Sequence, residues 1–246
     1  MKPVCLQVLS KPLKIILESH PIQLPASFQS KVETFWSDYN DDNRFTKGEV
    51  FHIDQTVETD QEINLHLKPS DYAHYLYSVK TKNMSRHACR VIYGAGLVET
   101  KDSYFVFGEM NDHTAYPGRL QCVGGGLSRN DLKGNQFQLQ DSVLREMTEE
   151  LGIQLDCVSS CSVRFLKTGG DYDFLAVLFH VQLNLTNSQL EDVYNKLSEA
   201  SLASGEKSEF VRLVSIKNEP SSINDFIDTN HRDTVDYLIP LLNKMK

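Results

Sequence analysis

Arg145-Glu146-Met147-Thr148-Glu149-Glu150-Leu151-Gly152-Ile153 is the segment best equipped for chemistry. On a helix, residues three and four apart are neighbours, so Glu146, Glu149 and Glu150 share one face. Leu144, Met147 and Leu151, with Val143, form an opposing apolar stripe. Gly152 stands where a helix ends on a left-handed residue. The carboxylates are badly placed electrostatically: two of them about 6 Å apart repel by roughly 3 kcal/mol at an effective dielectric of about 20. They also crowd the last turn, where the helix dipole is negative and Lys or Arg is preferred. A hard divalent cation removes both penalties, because Mg²⁺ takes oxygen ligands and shares its shell with phosphate. A bare Glu-x-x-Glu-Glu is an ordinary solvated face; the complete segment is what carries the information.

That segment resembles the second half of the Nudix box, Arg-Glu-(apolar)-x-Glu-Glu-x-Gly-(apolar), at every specified position. Five fixed identities and two apolar sites arise by chance in such a chain on the order of once in 10⁵. Upstream, Gly118-Arg119-Leu120-Gln121-Cys122-Val123-Gly124-Gly125 is similar to the family's Gly-x-Trp-x-x-Pro-Gly-Gly, with Leu120 for Trp and Val123 for Pro. The family has a Glu six residues after the second glycine and eight before the arginine. Here Phe137 stands eight before Arg145, and Asp131 and Asp141 are the only acids between Leu127 and Leu144. The stretch from Gly125 to Arg145 is about six residues longer than usual.

The resemblance implies a metal-dependent hydrolase of a nucleoside diphosphate linked to another moiety, UDP-sugars and ADP-ribose among the candidates. Glu146, Glu149 and Glu150 are then the ligands of Mg²⁺ or Mn²⁺, and Arg145 orients them by charge-assisted hydrogen bonds. Gly124 and Gly125 allow close backbone approach to phosphate. Tyr116, Arg119 and residues of Lys167–Asp173 are candidates for the base or sugar. Glu206 and Glu209, in a loop-like stretch, compete with Glu149 and Glu150 as the base that takes the water's proton. A catalytically inactive nucleotide-binding or regulatory module on the same fold is the alternative. Many family members are dimers, so a homodimer is also implied.

The elements that must hold this site follow a strand-rich pattern. Short β runs at Val4–Leu9 and Leu13–Leu17, a helix over Pro25–Tyr39 and a strand pair at Val50–Val57 and Glu62–Leu67 fill the first third. Ser70 is the expected N-cap of a helix through Tyr77. From Ala88 onward, strands flank the glycines, a helix covers about Gln138–Leu151, and helices near Ser188–Ala200, Ser221–Ile227 and His231–Leu242 follow. The pattern predicts an α+β fold, a mixed α/β/α sandwich. Residues 1–85 are expected to form a strand-rich N-terminal region and 86–246 the Nudix-like domain. The run Phe35-Trp36…Phe51, with Ser70-Asp71-Tyr72, resembles the N-terminal extension of family members that hydrolyse UDP-sugars.

Bulk properties agree with a small phosphorylated substrate rather than a nucleic-acid polymer or a membrane. The formal charge is −8 over 246 residues, which does not favour polyanion binding. No apolar run approaches the roughly 18 residues of a membrane span, and Pro3, Lys11, Pro12 and Lys14 interrupt any leader-like core. Five cysteines without paired spacing read as reduced thiols. A soluble, cytoplasmic protein is the expectation.

Overall fold

A computed structural model describes residues 2–246. In the first third, β1 (Cys5–Gln7) and β2 (Leu13–Leu17) precede α1 (Ala26–Tyr39), β3 (Glu49–Glu58), β4 (Ile63–Asp71) and α2 (Tyr72–Lys80). Next come β5 (Ile92–Glu99), β6 (Tyr104–Met110), β7 (Leu120–Gln121) and a small hairpin of β8 (Leu132–Lys133) and β9 (Gln136–Phe137). The chain then runs through α3 (Leu139–Leu151), β10 (Val158–Thr168), β11 (Leu175–Leu183) and α4 (Asn187–Ser204). It closes with β12 (Phe210–Lys217), α5 (Pro220–Thr229) and α6 (Leu238–Met245).

The larger sheet runs β1-β10-β11-β5-β6-β12, with β7 paired to β6; β11 and β5 are parallel. Strand alternation sends its side chains into two cores. Ile92 and Val98 of β5 and Val177, Phe179 and Val181 of β11 join Val143, Met147 and Leu151 of α3 on one face. Ala95, Leu97, Ala176 and Leu178 face the other way, onto Ile223 of α5 and Leu238, Leu241 and Leu242 of α6. Helices therefore cover both faces of the sheet, the α/β/α sandwich that the pattern predicted. Val143, Met147 and Leu151 are essentially fully buried, each contributing about 1.5–3 kcal/mol of apolar transfer. Their stripe fixes which way the opposite, acidic face of α3 points.

The smaller sheet runs β3-β4-β2-β9-β8. Residue 85 does not separate the sheets. β1 pairs with β10 of the larger sheet, while β9 pairs with β2 through Ile16 and Gln136. The extra residues before Arg145 are this β8–β9 hairpin, stitched to the N-terminal strands.

Two element boundaries differ from expectation. The cap of α2 is Asp71, whose side chain accepts from the His74 N–H, while the Ser70 hydroxyl pairs with the His74 ring at Nδ1, 2.8 Å away. The closing helix begins at Leu238 instead of His231. Residues 233–235 instead hydrogen-bond along β7: Leu120 N–H donates to Asp233 O, and Val235 N–H donates to Leu120 O. Among the described residues no helix is long and apolar enough to cross a membrane. All five cysteines are free thiols.

Candidate active site

α3 ends on Gly152, in the left-handed conformation, with its N–H shared by Met147 O and Thr148 O. This fixes the last turn, and with it the carboxylates. The glycine turn packs directly against them. At Gly124, where φ is 137°, a Cβ would collide with Gly94 O. At Gly125 a Cβ would lie 2.9 Å from the Glu146 carboxyl carbon. Only hydrogen at these positions lets the turn sit against β5 at Gly124 and against the helix at Gly125. Gly124 N–H donates to Glu150 Oε2 at 3.0 Å.

Arg145 is held from two sides. Its Nε and Nη2 meet Asp131 Oδ1 and Oδ2 at 3.1 and 3.3 Å. It also reaches Glu146 Oε1 and Glu149 Oε2, each at 2.9 Å. Asp131 is buried and closes its own turn by accepting from Ser128 N–H at 2.7 Å. It lies six residues after Gly125, the family's glutamate position counted from the glycines. Counting back from Arg145 lands on Phe137 because the β8–β9 hairpin lies between. Asp131 is the site residue that sequence reasoning missed, and the glycine spacing was its signal.

The acids of α3 divide by environment. Burial pushes the Glu146 carboxyl up to about 7; the Arg145 guanidinium opposes this, while Glu149 and Glu209 add to it. Burial raises Glu150 further, and the charges of Glu209 and Glu146 reinforce the shift. Burial also raises Glu209, despite the neighbouring Glu150, His113 and Arg119. Glu150 Oε1 is buried with no hydrogen-bond donor facing it. Glu149 stands apart, with a side chain 57% exposed and held by Arg145. Among the described residues no three His, Cys, Asp or Glu side chains are placed together so as to hold a metal ion. A donor-free buried oxygen amid mutually repelling carboxylates nevertheless suits a hard cation, which needs oxygen ligands and cancels their repulsion.

Glu146 and Glu209 open into a cavity of about 1060 Å³. Gly124, Gly125, Glu146 and Glu209 line it together with Tyr116 and Arg119; Glu149, Glu206 and the more deeply buried Glu150 do not. The Arg119 guanidinium lies 3.7 Å from the Tyr116 ring centroid, a cation–π stack, and donates to Gln121 Oε1 at 2.6 Å. The N-terminal region contributes Phe45, Tyr72 and Tyr75 to the same wall. The strand-paired stretch before α6 contributes Asp233 and Asp236, which a helix from His231 would have placed elsewhere.

Glycine turn, acidic helix end and the clasp on its arginine together make one recognisable arrangement. The chain resembles the Nudix hydrolases. No model of a known protein family matches it, and no curated protein matches it. Solved structures do. A MutT protein from Methanosarcina mazei is 10% identical, with a TM-score of 0.43 over 63% of this chain and 92% of that one. A Nudix hydrolase from Nitrosomonas europaea is 13% identical, with a TM-score of 0.36 over 63% and 85%. A bifunctional NMN adenylyltransferase/ADP-ribose pyrophosphatase from Francisella tularensis, complexed with AMP and a manganese ion, is 14% identical. Its TM-score is 0.43, over 71% of this chain and 48% of that one.

Proposed function

We propose that this chain is a metal-dependent hydrolase that cleaves the diphosphate bond of a nucleoside diphosphate linked to another moiety. One observation carries the reading: Glu150 Oε1 is buried without a donor beside the raised carboxyls of Glu146 and Glu209, where the glycine turn meets the cavity. Mg²⁺ or Mn²⁺, held by Glu146 and Glu150 with Glu149 at the edge of the set, would neutralise diphosphate charge and acidify a water.

The chain's own residues divide the remaining work. Arg145 holds Glu146 and Glu149 in place through charge-assisted bonds. Gly124 and Gly125 keep the turn free of side chains, so phosphate can approach the backbone. Glu209 is our candidate for the base, because it lines the cavity beside Glu146 and burial makes its carboxylate a better proton acceptor than an exposed one. Tyr116 and Arg119 face the organic part of a small, nucleotide-containing substrate.

The test is a hydrolysis screen with Mg²⁺ and Mn²⁺ over UDP-sugars, ADP-ribose, dinucleoside polyphosphates, NADH and nucleoside triphosphates. Glu149→Gln and Glu150→Gln are the controls. Turnover that falls at least about a hundredfold in Glu150→Gln supports the reading. Absence of turnover with metal and nucleotide binding intact overturns it in favour of a binding module.

A further inference from the structure

The turn from Gly169 to Phe174 is unusual in its backbone. Gly169 and Gly170 have φ of 68° and 74°, and Tyr172 and Asp173, which carry side chains, have φ of 62° and 52°. Two successive non-glycine residues in the left-handed region persist only where the surroundings over-determine them, and such positions cluster at ligand sites. Asp236 supplies part of that constraint: its Oδ2 accepts from Asp171 N–H at 2.9 Å. A Cβ on Gly170 would collide with the same oxygen. Arg90 adds a second tie, to Asp173 Oδ2 at 3.0 Å.

Asp236 Oδ2 also receives Lys167 Nζ, at 2.8 Å. The Lys167 side chain is 1% exposed, and its ammonium donates as well to Phe174 O at 3.1 Å. An ammonium has three N–H groups, so one remains. Asp236 Oδ1 takes neither of these bonds. Both residues line the cavity. A buried ion pair is a poor device for stability, because desolvation offsets most of its attraction. Placed on a cavity wall, it presents a fixed donor beside a fixed acceptor.

Aromatic rings continue from that pair. Phe174 lies 5.3 Å from Tyr172 and is stacked on Tyr75 at 5.7 Å. Tyr75 Oη is 3.5 Å from Tyr116 Oη. We propose that this part of the cavity is a nucleobase subsite, in which the base stacks on the rings of Tyr172 and Phe174 and Lys167 with Asp236 reads its edge. On the pairing edge each base sets an acceptor next to a donor, but in one of two orders. Uracil and guanine put an exocyclic acceptor beside a ring N–H, whereas cytosine and adenine put an exocyclic donor beside a ring nitrogen acceptor. A donor and acceptor fixed in place therefore favour one order over the other. Lys167 and Asp236 are then specificity-determining residues. The inference deepens the hydrolase reading of the same cavity, and rests on it for the phosphate end alone.

The test uses the full chain in metal-free buffer with EDTA. Uridine, cytidine, guanosine, adenosine and the base-free probe methyl riboside are titrated by ligand-observed NMR. At least one nucleoside is expected to bind about tenfold tighter than methyl riboside. Lys167→Met and Asp236→Asn should change the order among the four nucleosides, and the double variant, which leaves no unpaired charge, should abolish the preference. Tyr172→Ala, in the surface turn, should weaken all four alike and keep their order. Methyl riboside binding as tightly as the best nucleoside, no nucleoside binding at millimolar concentration, or an unchanged order in the folded double variant would each overturn the proposal. Metal-dependent turnover with a flat nucleoside order removes this subsite and leaves the hydrolase; base selectivity without turnover removes the hydrolase alone.

Discussion

Asp131 grips Arg145 through both carboxylate oxygens, at 3.1 and 3.3 Å, from the far side of the hairpin that separates them in sequence. The aspartate side chain is 3% exposed and the arginine 25%. Removing Asp131 leaves Arg145 with Glu146 and Glu149 alone and strips the Ser128 N–H of its acceptor. Asp131→Ala is expected to cost about 3 kcal/mol in chemical denaturation. It should also weaken Mg²⁺ binding, because Arg145 would no longer hold Glu146 in place. Asp131→Glu should recover part of both losses; equal losses in the two variants would contradict a positioning role.

Gly125 has no left-handed backbone requirement, so alanine there is a test of space alone. Its Cβ would stand 2.9 Å from the Glu146 carboxyl carbon. Gly125→Ala is expected to displace that carboxylate and weaken Mn²⁺ binding about tenfold or more. Folding stability should change by no more than about 1–3 kcal/mol, the usual cost of a local clash. Titration calorimetry and a thermal melt on the same sample check both parts.

The raised Glu146 carboxyl predicts a pH dependence of stability in the metal-free protein. Folded Glu146 holds its proton up to about 7, whereas the unfolded group releases it near the ordinary 4.5. Between those values the folded state binds more protons, so stability is highest below the window and falls as pH rises through it. Glu146→Gln should flatten that slope between pH 4.5 and 7. Added Mg²⁺ should raise the melting temperature more at pH 8 than at pH 5.5, since cation and proton compete for the same oxygens.

His52 should act in the opposite direction. Burial, with the neighbouring His74, holds its pKa down at about 4 against an ordinary 6.5. Its Nδ1 accepts from Arg90 N–H at 3.1 Å. The neutral folded ring gives stability that is fully present above pH 6.5 and is lost as pH falls toward 4, about 3 kcal/mol at most. His52→Asn keeps an acceptor but does not titrate. Acid denaturation of this variant should show a shallower loss between pH 6.5 and 4 than the parent.

Much of the machinery was legible along the chain because helix geometry relates neighbours in sequence. Three-and-four spacing put Glu146, Glu149 and Glu150 on one side of α3 and Val143, Met147 and Leu151 on the other, whatever that helix packs against. The glycines before the box and the sandwich order were readable for the same local reason. The boundary at His231 was misread because strand pairing with a distant partner outcompeted local propensity. The cap of α2 was misread by one residue because the Ser70 hydroxyl pairs with the His74 ring while Asp71 takes the His74 N–H.

What sequence could not decide depends on distance in space rather than on spacing. The pairing of Asp131 with Arg145 exists because β8 and β9 fold back and join β2. That Glu209, and not Glu206, reaches the cavity follows from where β12 enters the sheet, a long-range antiparallel pairing with β6. Glu149, identical in type to its neighbours, differs from them only in burial, and burial is a property of everything packed around a residue. Local chemistry follows from a few covalently linked positions; electrostatic roles follow from the whole fold, because desolvation and non-local charges set them.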